Sequence, residues 1–223
     1  MKPISNITGV AAPLPLANLD TDVIIRIEKL AQCPREELGR WALAPLRFRD
    51  DGSENPEFVL NQAGWREARI LVAGPNFACG SSREHAVWAL QGLGIACVIA
   101  PSFGDIFRNN CFQNGLLPVQ LPADEAQWLL DALEQRKREG EPVALEEGRR
   151  RGEAVALSVD LETQVVRWPG RGELSFTIEP RRRQALLQGL DEIELTRRLL
   201  PDIEAWQEQD KAARPWVWQG AQV

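Results

Sequence analysis

Between residues 69 and 119 the chain alternates apolar runs with helical patterns, and that order limits the folds open to it. Arg69-Ile70-Leu71-Val72-Ala73 reads as a strand. A helical pattern over 83–92 follows and stops at Gly92 and Gly94. Ile95-Ala96-Cys97-Val98-Ile99-Ala100 is an unbroken apolar strand, a second helix is expected around 103–109, and Leu116-Leu117-Pro118-Val119 is a further strand. Strands joined through helices pair in parallel, because a parallel crossover needs a connection of that length. Parallel sheets are covered on both faces, which is why their strands read as continuous apolar runs. The block predicts an α/β fold with a mostly parallel central sheet and helices packed on it. Sites in such sheets collect at the carboxyl ends of strands. The turns after Ala73 and after Ala100 are therefore expected to converge on one cleft.

The flanking segments are less regular. Residues 1–17, with Gly9, Ala11-Ala12-Pro13 and Pro15, read as turn and extended chain. Asn18-Leu19-Asp20-Thr21-Asp22 is an acidic turn whose side chains are expected to hold nearby backbone or arginine groups. Val23-Ile24-Ile25 follows as a short strand or the start of a loop, and a helix is expected from Pro34 to Gly39. Asp50-Asp51-Gly52 and Asn55-Pro56 mark a surface loop. Residues 124–138 form an amphipathic helix with Ala126, Leu129, Leu130 and Leu133 on one side. Residues 154–161 and 164–168 alternate as antiparallel strands, and Ser175-Phe176-Thr177-Ile178 is another. Arg182 to Leu187 reads as a helix ending at Gly189, and Asp191 to Leu200 as a short last helix. Arg149-Arg150-Arg151 is a solvated turn. The domain is taken to span 1–200. Residues 201–223, with Trp206, Trp216 and Trp218 in a polar context, form a tail that packs on a partner or is partly disordered.

Composition excludes several classes. Apolar residues are 44 % of the 223, enough for a core. A net charge of -6 speaks against a nucleic-acid partner. No apolar run approaches the roughly 20 residues of a membrane helix, and no basic-then-apolar start marks a secretory signal, so a cytoplasmic location is expected. Cys33, Cys79, Cys97 and Cys111 contain no C-x-x-C pair, which argues against a self-contained zinc or iron–sulfur site. Tyr is absent and His85 is the only histidine. A mechanism drawing two histidines or a tyrosine acid from this chain is thereby excluded.

The run Cys79-Gly80-Ser81-Ser82-Arg83-Glu84-His85 stands where a strand turns into a helix. A serine there caps the helix by accepting a free backbone N–H, and Glu84 fits the first-turn carboxylate of a capping box. The same helix start carries partial positive charge and unpaired donors. Beside the fixed fork of Arg83 it can hold a carboxylate and lower the cost of ionising a serine. The segment reads as a site for acting on a small organic acid. A nucleophile elbow of the G-x-S-x-G type is absent, as are G-x-G-x-x-G and a phosphate-binding G-x-x-x-x-G-K-[ST]. Cys79 or Ser81 paired with His85 as a hydrolase nucleophile is the minor reading.

Three strings together resemble the small-subunit family of 3-isopropylmalate dehydratases, in the swivelling domain of the aconitase superfamily. They are Asn18-Leu19-Asp20-Thr21-Asp22-Val23-Ile24-Ile25, Asn76 to Ala86 with its Gly-Ser-Ser-Arg-Glu-His-Ala core, and Ala100 to Asn110. The later Phe176-Thr177-Ile178 and Leu187 to Thr196 resemble that family's closing segment, so the likeness runs over nearly residues 3–200. The resemblance implies a swivelling β/β/α fold with extra antiparallel strands. It also implies a hydro-lyase of leucine biosynthesis that interconverts 2- and 3-isopropylmalate and works only with a large subunit. That partner would carry the [4Fe–4S] cluster, with none bound by this chain. Ser81 would be the base, Ser82 its hydrogen-bonding neighbour and Arg83 a ligand of a substrate carboxylate. The loop Arg26-Ile27-Glu28-Lys29-Leu30 would read the substrate side chain, with Arg26, Glu28 and Leu30 as contacts. There the family normally has a proline and apolar or aromatic residues, and Ala78 replaces a usual glycine. The runners-up are a paralogue acting on another small diacid of the citraconate, dimethylmaleate or homoaconitate type, and a non-catalytic swivel module.

Overall fold

The computed structural model describes residues 1–80, 83–138, 157–169 and 172–218. Ser81, Ser82, the Arg149–Arg151 run and residues 154–156 of an expected strand lie outside them. Two four-stranded sheets share one hydrophobic core. The chain starts in the antiparallel sheet with β1 (Asn6–Gly9) and passes through Val10 into β2 (Ala11–Leu14) of the parallel one. β3 (Ile70–Ala73), β4 (Cys97–Ala100) and β5 (Leu117–Gln120) complete the parallel sheet in the order β2-β3-β4-β5. β6 (Leu157–Asp160), β7 (Val165–Trp168) and β8 (Gly172–Ser175) complete the antiparallel sheet in the order β1-β6-β7-β8. The α/β architecture inferred from the 69–119 block is the one observed.

Four short helices, α1 (Thr21–Ile24), α2 (Ile27–Gln32), α3 (Leu38–Trp41) and α4 (Ala44–Arg47), fill the crossover between β2 and β3. α5 (His85–Gly92) and α6 (Asp105–Asn114) connect the parallel strands. α7 (Ala123–Arg138) lays its Ala126, Leu129, Leu130 and Leu133 face across β2, β3 and β4. Completely burying such a leucine is worth about 1.5–3 kcal/mol, so this stripe anchors the helix. α8 (Pro180–Gln188), α9 (Glu192–Arg197), α10 (Leu200–Ala213) and α11 (Pro215–Trp218) follow. The core draws on residues up to Leu187, and none of the described residues of α9 to α11 joins it. α10 and α11 are tied together through Asp210, whose carboxylate accepts from Trp218 Nε1 at 3.0 Å and from Arg214 Nε at 2.7 Å.

The differences from the sequence reading have local causes. Val23-Ile24 is helical rather than extended, because Asp20 caps α1: its Oδ1 accepts the Asp22 N–H at 2.7 Å. The expected helix from Pro34 to Gly39 is a 3-10 turn over Arg35–Glu37 running into α3. The strand expected at 175–178 lies earlier, at Gly172–Ser175. Beyond it the chain is held through Gln164: its carbonyl accepts the Phe176 N–H and its Oε1 the Ile178 N–H. No helix among the described residues is long and apolar enough to cross a membrane.

Candidate functional site

Three loops meet at the carboxyl ends of β2, β3 and β4, and backbone hydrogen bonds stitch them. Cys79 donates its N–H to Leu19 O at 3.1 Å and its carbonyl accepts the Thr21 N–H at 3.0 Å, forming a parallel bridge between Asp20 and Cys79. On the other side Phe77 donates to Ser102 O and accepts from Gly104, pairing Phe77 with Phe103. Ser102 Oγ accepts the Asn76 N–H at 2.8 Å, and Asn76 Nδ2 donates to Asn18 Oδ1 at 2.9 Å. Beneath the loops Phe77 meets Phe107 edge-on at 5.5 Å and Phe103 at 6.3 Å, an arrangement aromatic rings favour. The loops after Ala73 and Ala100 therefore do converge, and the acidic turn joins them.

Arg83 stands at the end of this scaffold. Its Nη1 donates to Asp22 Oδ1 at 3.2 Å, and its side chain is 31 % exposed. The acidic turn thus does what its residues suggest: Asp20 holds backbone and Asp22 holds an arginine. An exposed pair of this kind is worth at most about 1 kcal/mol. It aims the guanidinium while leaving four other N–H donors for a ligand. α5 begins at His85, but Glu84 makes no capping box. Its carboxylate accepts from Asn114 Nδ2 at 3.3 Å instead, and Asn114 Oδ1 also takes the Trp88 indole N–H at 2.7 Å. His85 packs edge-on against Trp88, and its Nδ1 is buried without a hydrogen-bond partner among the described residues.

Arg26 and Glu28 lie next to this point. With Asp22, Ile27 and Pro45 they line a cleft of about 370 Å³. So Asp22 links the Arg83 end of the site to the loop expected to read a substrate. Leu30 is half-buried and packed against the core, and it is not among that cleft's lining residues. Two positions that depart from the resembled pattern keep its backbone. Arg26 has φ −69°, inside the range a proline enforces. Ala78 has φ +57°, which is strained for any residue with a Cβ and explains a glycine at that place. The pairing of Asp22 with Arg83, 61 residues apart, leaves no signal in any local window.

Among the described residues no three His, Cys, Asp or Glu side chains are grouped as an ion would need. Cys97 and Cys111 are completely buried, and desolvation pushes both thiols well above the usual range. Both lie in the hydrophobic core, and among the described residues no third ligand-type side chain joins them. Titration of the native chain with a thiol reagent at pH 8 is expected to label Cys33 and Cys79 rapidly, with the other two appearing only in denaturant. Rapid labelling of a third thiol would contradict this packing.

Comparison with known proteins agrees with this architecture. The family described as the Aconitase C-terminal domain matches residues 1–124. A Rhodospirillum rubrum protein named 3-isopropylmalate dehydratase small subunit is 47 % identical over 217 residues, covering 97 % of either chain. Proteins of the same name from a Jannaschia species and from Brucella canis are 46 % and 45 % identical, each over 97 % of this chain and 100 % of its own length. The crystal structure of a 3-isopropylmalate dehydratase from Methanocaldococcus jannaschii superposes with a TM-score of 0.60 at 26 % identity, over 90 % of this chain and 99 % of that one.

Proposed function

Because the chain belongs to the 3-isopropylmalate dehydratase small-subunit family, built on the aconitase C-terminal domain, we propose that it is the small subunit of that hydro-lyase, acting with a large subunit in leucine biosynthesis. The observation that carries the reading is the Arg83 guanidinium, held by Asp22 at the junction of three loops, with no other side-chain partner among the described residues. The substrate is a small dicarboxylic acid, 2-isopropylmalate, whose dehydration and rehydration move a hydroxyl between adjacent carbons.

The roles of this chain's residues follow from the chemistry. The proton removed lies alpha to a carboxylate and is weakly acidic, so its loss builds negative charge on that carboxylate. Arg83 binds the carboxylate and gains strength as the charge grows. Ser81 Oγ takes the proton, and Ser82 hydrogen-bonds to it. In this role a Ser81 alkoxide would need positive surroundings, which a guanidinium and helix-start N–H groups can supply. Arg26 and Glu28, with Leu30 behind them, read the remainder of the substrate. The enzyme is an iron–sulfur one, and its [4Fe–4S] cluster belongs to the large subunit. No residue set described in this chain suits it. We place the enzyme in the cytoplasm.

The test is anaerobic co-expression with the candidate large subunit, followed by ultraviolet absorbance of the unsaturated intermediate with 2-isopropylmalate. Turnover that needs both chains is expected. A stable complex silent on isopropylmalate would transfer the reading to another diacid selected by Arg26 and Glu28. Failure of the two chains to associate would reject the catalytic-subunit reading in favour of a separate interaction module.

A further inference from the structure

A second and larger cleft lies on the other side of Arg26. It encloses about 670 Å³ between α2, α3, α4 and the turn after Phe48, within the size range of small-molecule sites. Trp41 and Phe48, both half-buried, contribute apolar and aromatic surface. Four cations line it: Arg26, Lys29, Arg40 and Arg49. Asp50 is the single carboxylate among its lining residues, leaving three positive charges (four minus one) on a chain whose net charge is -6. None of the four cations forms an ion pair among the described residues. Lys29 Nζ instead sits 3.6 Å from the centroid of the Trp41 ring. Asp50 in the lining and Asp51 beside Arg49 offset part of this charge, and an anion in the cleft would offset the rest. The aromatic surface beside them suits a ligand with an apolar body.

We propose that this cleft is a second binding site, for a small organic anion of two or three negative charges carrying a flat apolar group. Arg26 and Pro45 line both this cleft and the smaller one beside Asp22, so the two share a wall. The anionic part of the ligand meets the cations, and its apolar part packs beside the Lys29–Trp41 pair and Phe48, whose ring also lies 5.1 Å from Arg47 Cζ. A dicarboxylate without such a body would engage the charges alone. The inference adjoins the dehydratase reading, since Arg26 and Lys29 lie in the loop given to the substrate, and it is distinguished from it by Arg40 and Arg49, which have no part in that reading.

Calorimetric titration of the full chain, alone and bound to its large subunit, with phenyl phosphate tests this. One saturable site per chain is expected in both states. Inorganic phosphate, which has the charge without the ring, should bind at least about tenfold more weakly. The double variant Arg40→Gln/Arg49→Gln should lose about tenfold in affinity, because each exposed charge contact contributes up to about 1 kcal/mol. Both side chains are exposed, so its thermal melt should match the parent. Arg83→Gln should leave binding unchanged. The proposal fails if no saturable binding occurs, or if affinity follows Arg83 rather than Arg40 and Arg49. It also fails if the large subunit abolishes binding, since the cleft would then be part of the subunit interface.

Discussion

Arg83→Gln is expected to lower kcat/KM for dehydration of 2-isopropylmalate by about three orders of magnitude, and Arg83→Lys by about two, with subunit assembly intact. The guanidinium reaches the site from a short loop between Gly80 and α5, is 31 % exposed and has Asp22 as its polar partner among the described residues, at 3.2 Å. Little packing depends on it, so the variants should fold. Glutamine removes the charge that opposes the one building on the substrate carboxylate, a charge-assisted bidentate contact of about 1.5–3 kcal/mol before the transition state strengthens it. Tenfold in rate corresponds to 1.36 kcal/mol, so about 4 kcal/mol gives the stated loss. Lysine restores the charge but not the planar fork, which is why it recovers only part. Separate kcat and KM values distinguish the roles: loss mainly in kcat marks an interaction made in the transition state, loss in KM alone a uniform binding contact. Activity within threefold of the parent in both variants would remove Arg83 from the site.

The parts of this fold that sequence discloses are those where one residue period dominates. β3 and β4 are buried along their lengths and β5 as far as Val119, and they read as apolar runs; α7 repeats its apolar positions over sixteen residues. β2 hides because Ala11-Ala12-Pro13-Leu14 has weak strand preference and a proline. Its place explains the tolerance: β2 and β5 are the two edges of the parallel sheet, and each carries a proline, Pro13 and Pro118, where one side of the strand needs no partner. α1 to α4 are four to six residues long, too short for a helical period to accumulate. The site divides in the same way. Its Ser-Ser-Arg string is contiguous and visible in the sequence, whereas the Asp22–Arg83 pair depends on the Asp20–Cys79 bridge, a tertiary contact no window contains. Glu84 shows the converse error: its position fits a capping box, yet Asn114 from α6 takes its carboxylate.

Gly104→Ala is expected to be strongly damaging for a single-methyl change, lowering stability by about 2–3 kcal/mol and activity by about 10²-fold. A Cβ on Gly104 would stand 2.5 Å from Ala78 O and 3.2 Å from both Ala78 C and Cys79 Cα. All three atoms are backbone, so no rotamer change relieves the overlap. The loops must separate, and the Gly104 N–H to Phe77 O bond at 2.9 Å lies on the line of strain. Ala78 is already held at φ +57° and has no softer conformation nearby to retreat into. Displacing the 77–79 segment also moves the Cys79 contacts to Leu19 and Thr21, which set Asp22 against Arg83. The activity loss therefore comes from misplacing a carboxylate clamp that is itself unchanged. Gly52→Ala is the matched control. It also adds a Cβ, at φ +80°, but with nothing within 4 Å. It should cost about 1–2 kcal/mol through backbone strain and leave kcat/KM intact. If Gly104→Ala melts and turns over like the Gly52 variant, the close packing of the 76–80 and 102–104 loops is not what positions the Arg83 end of the site.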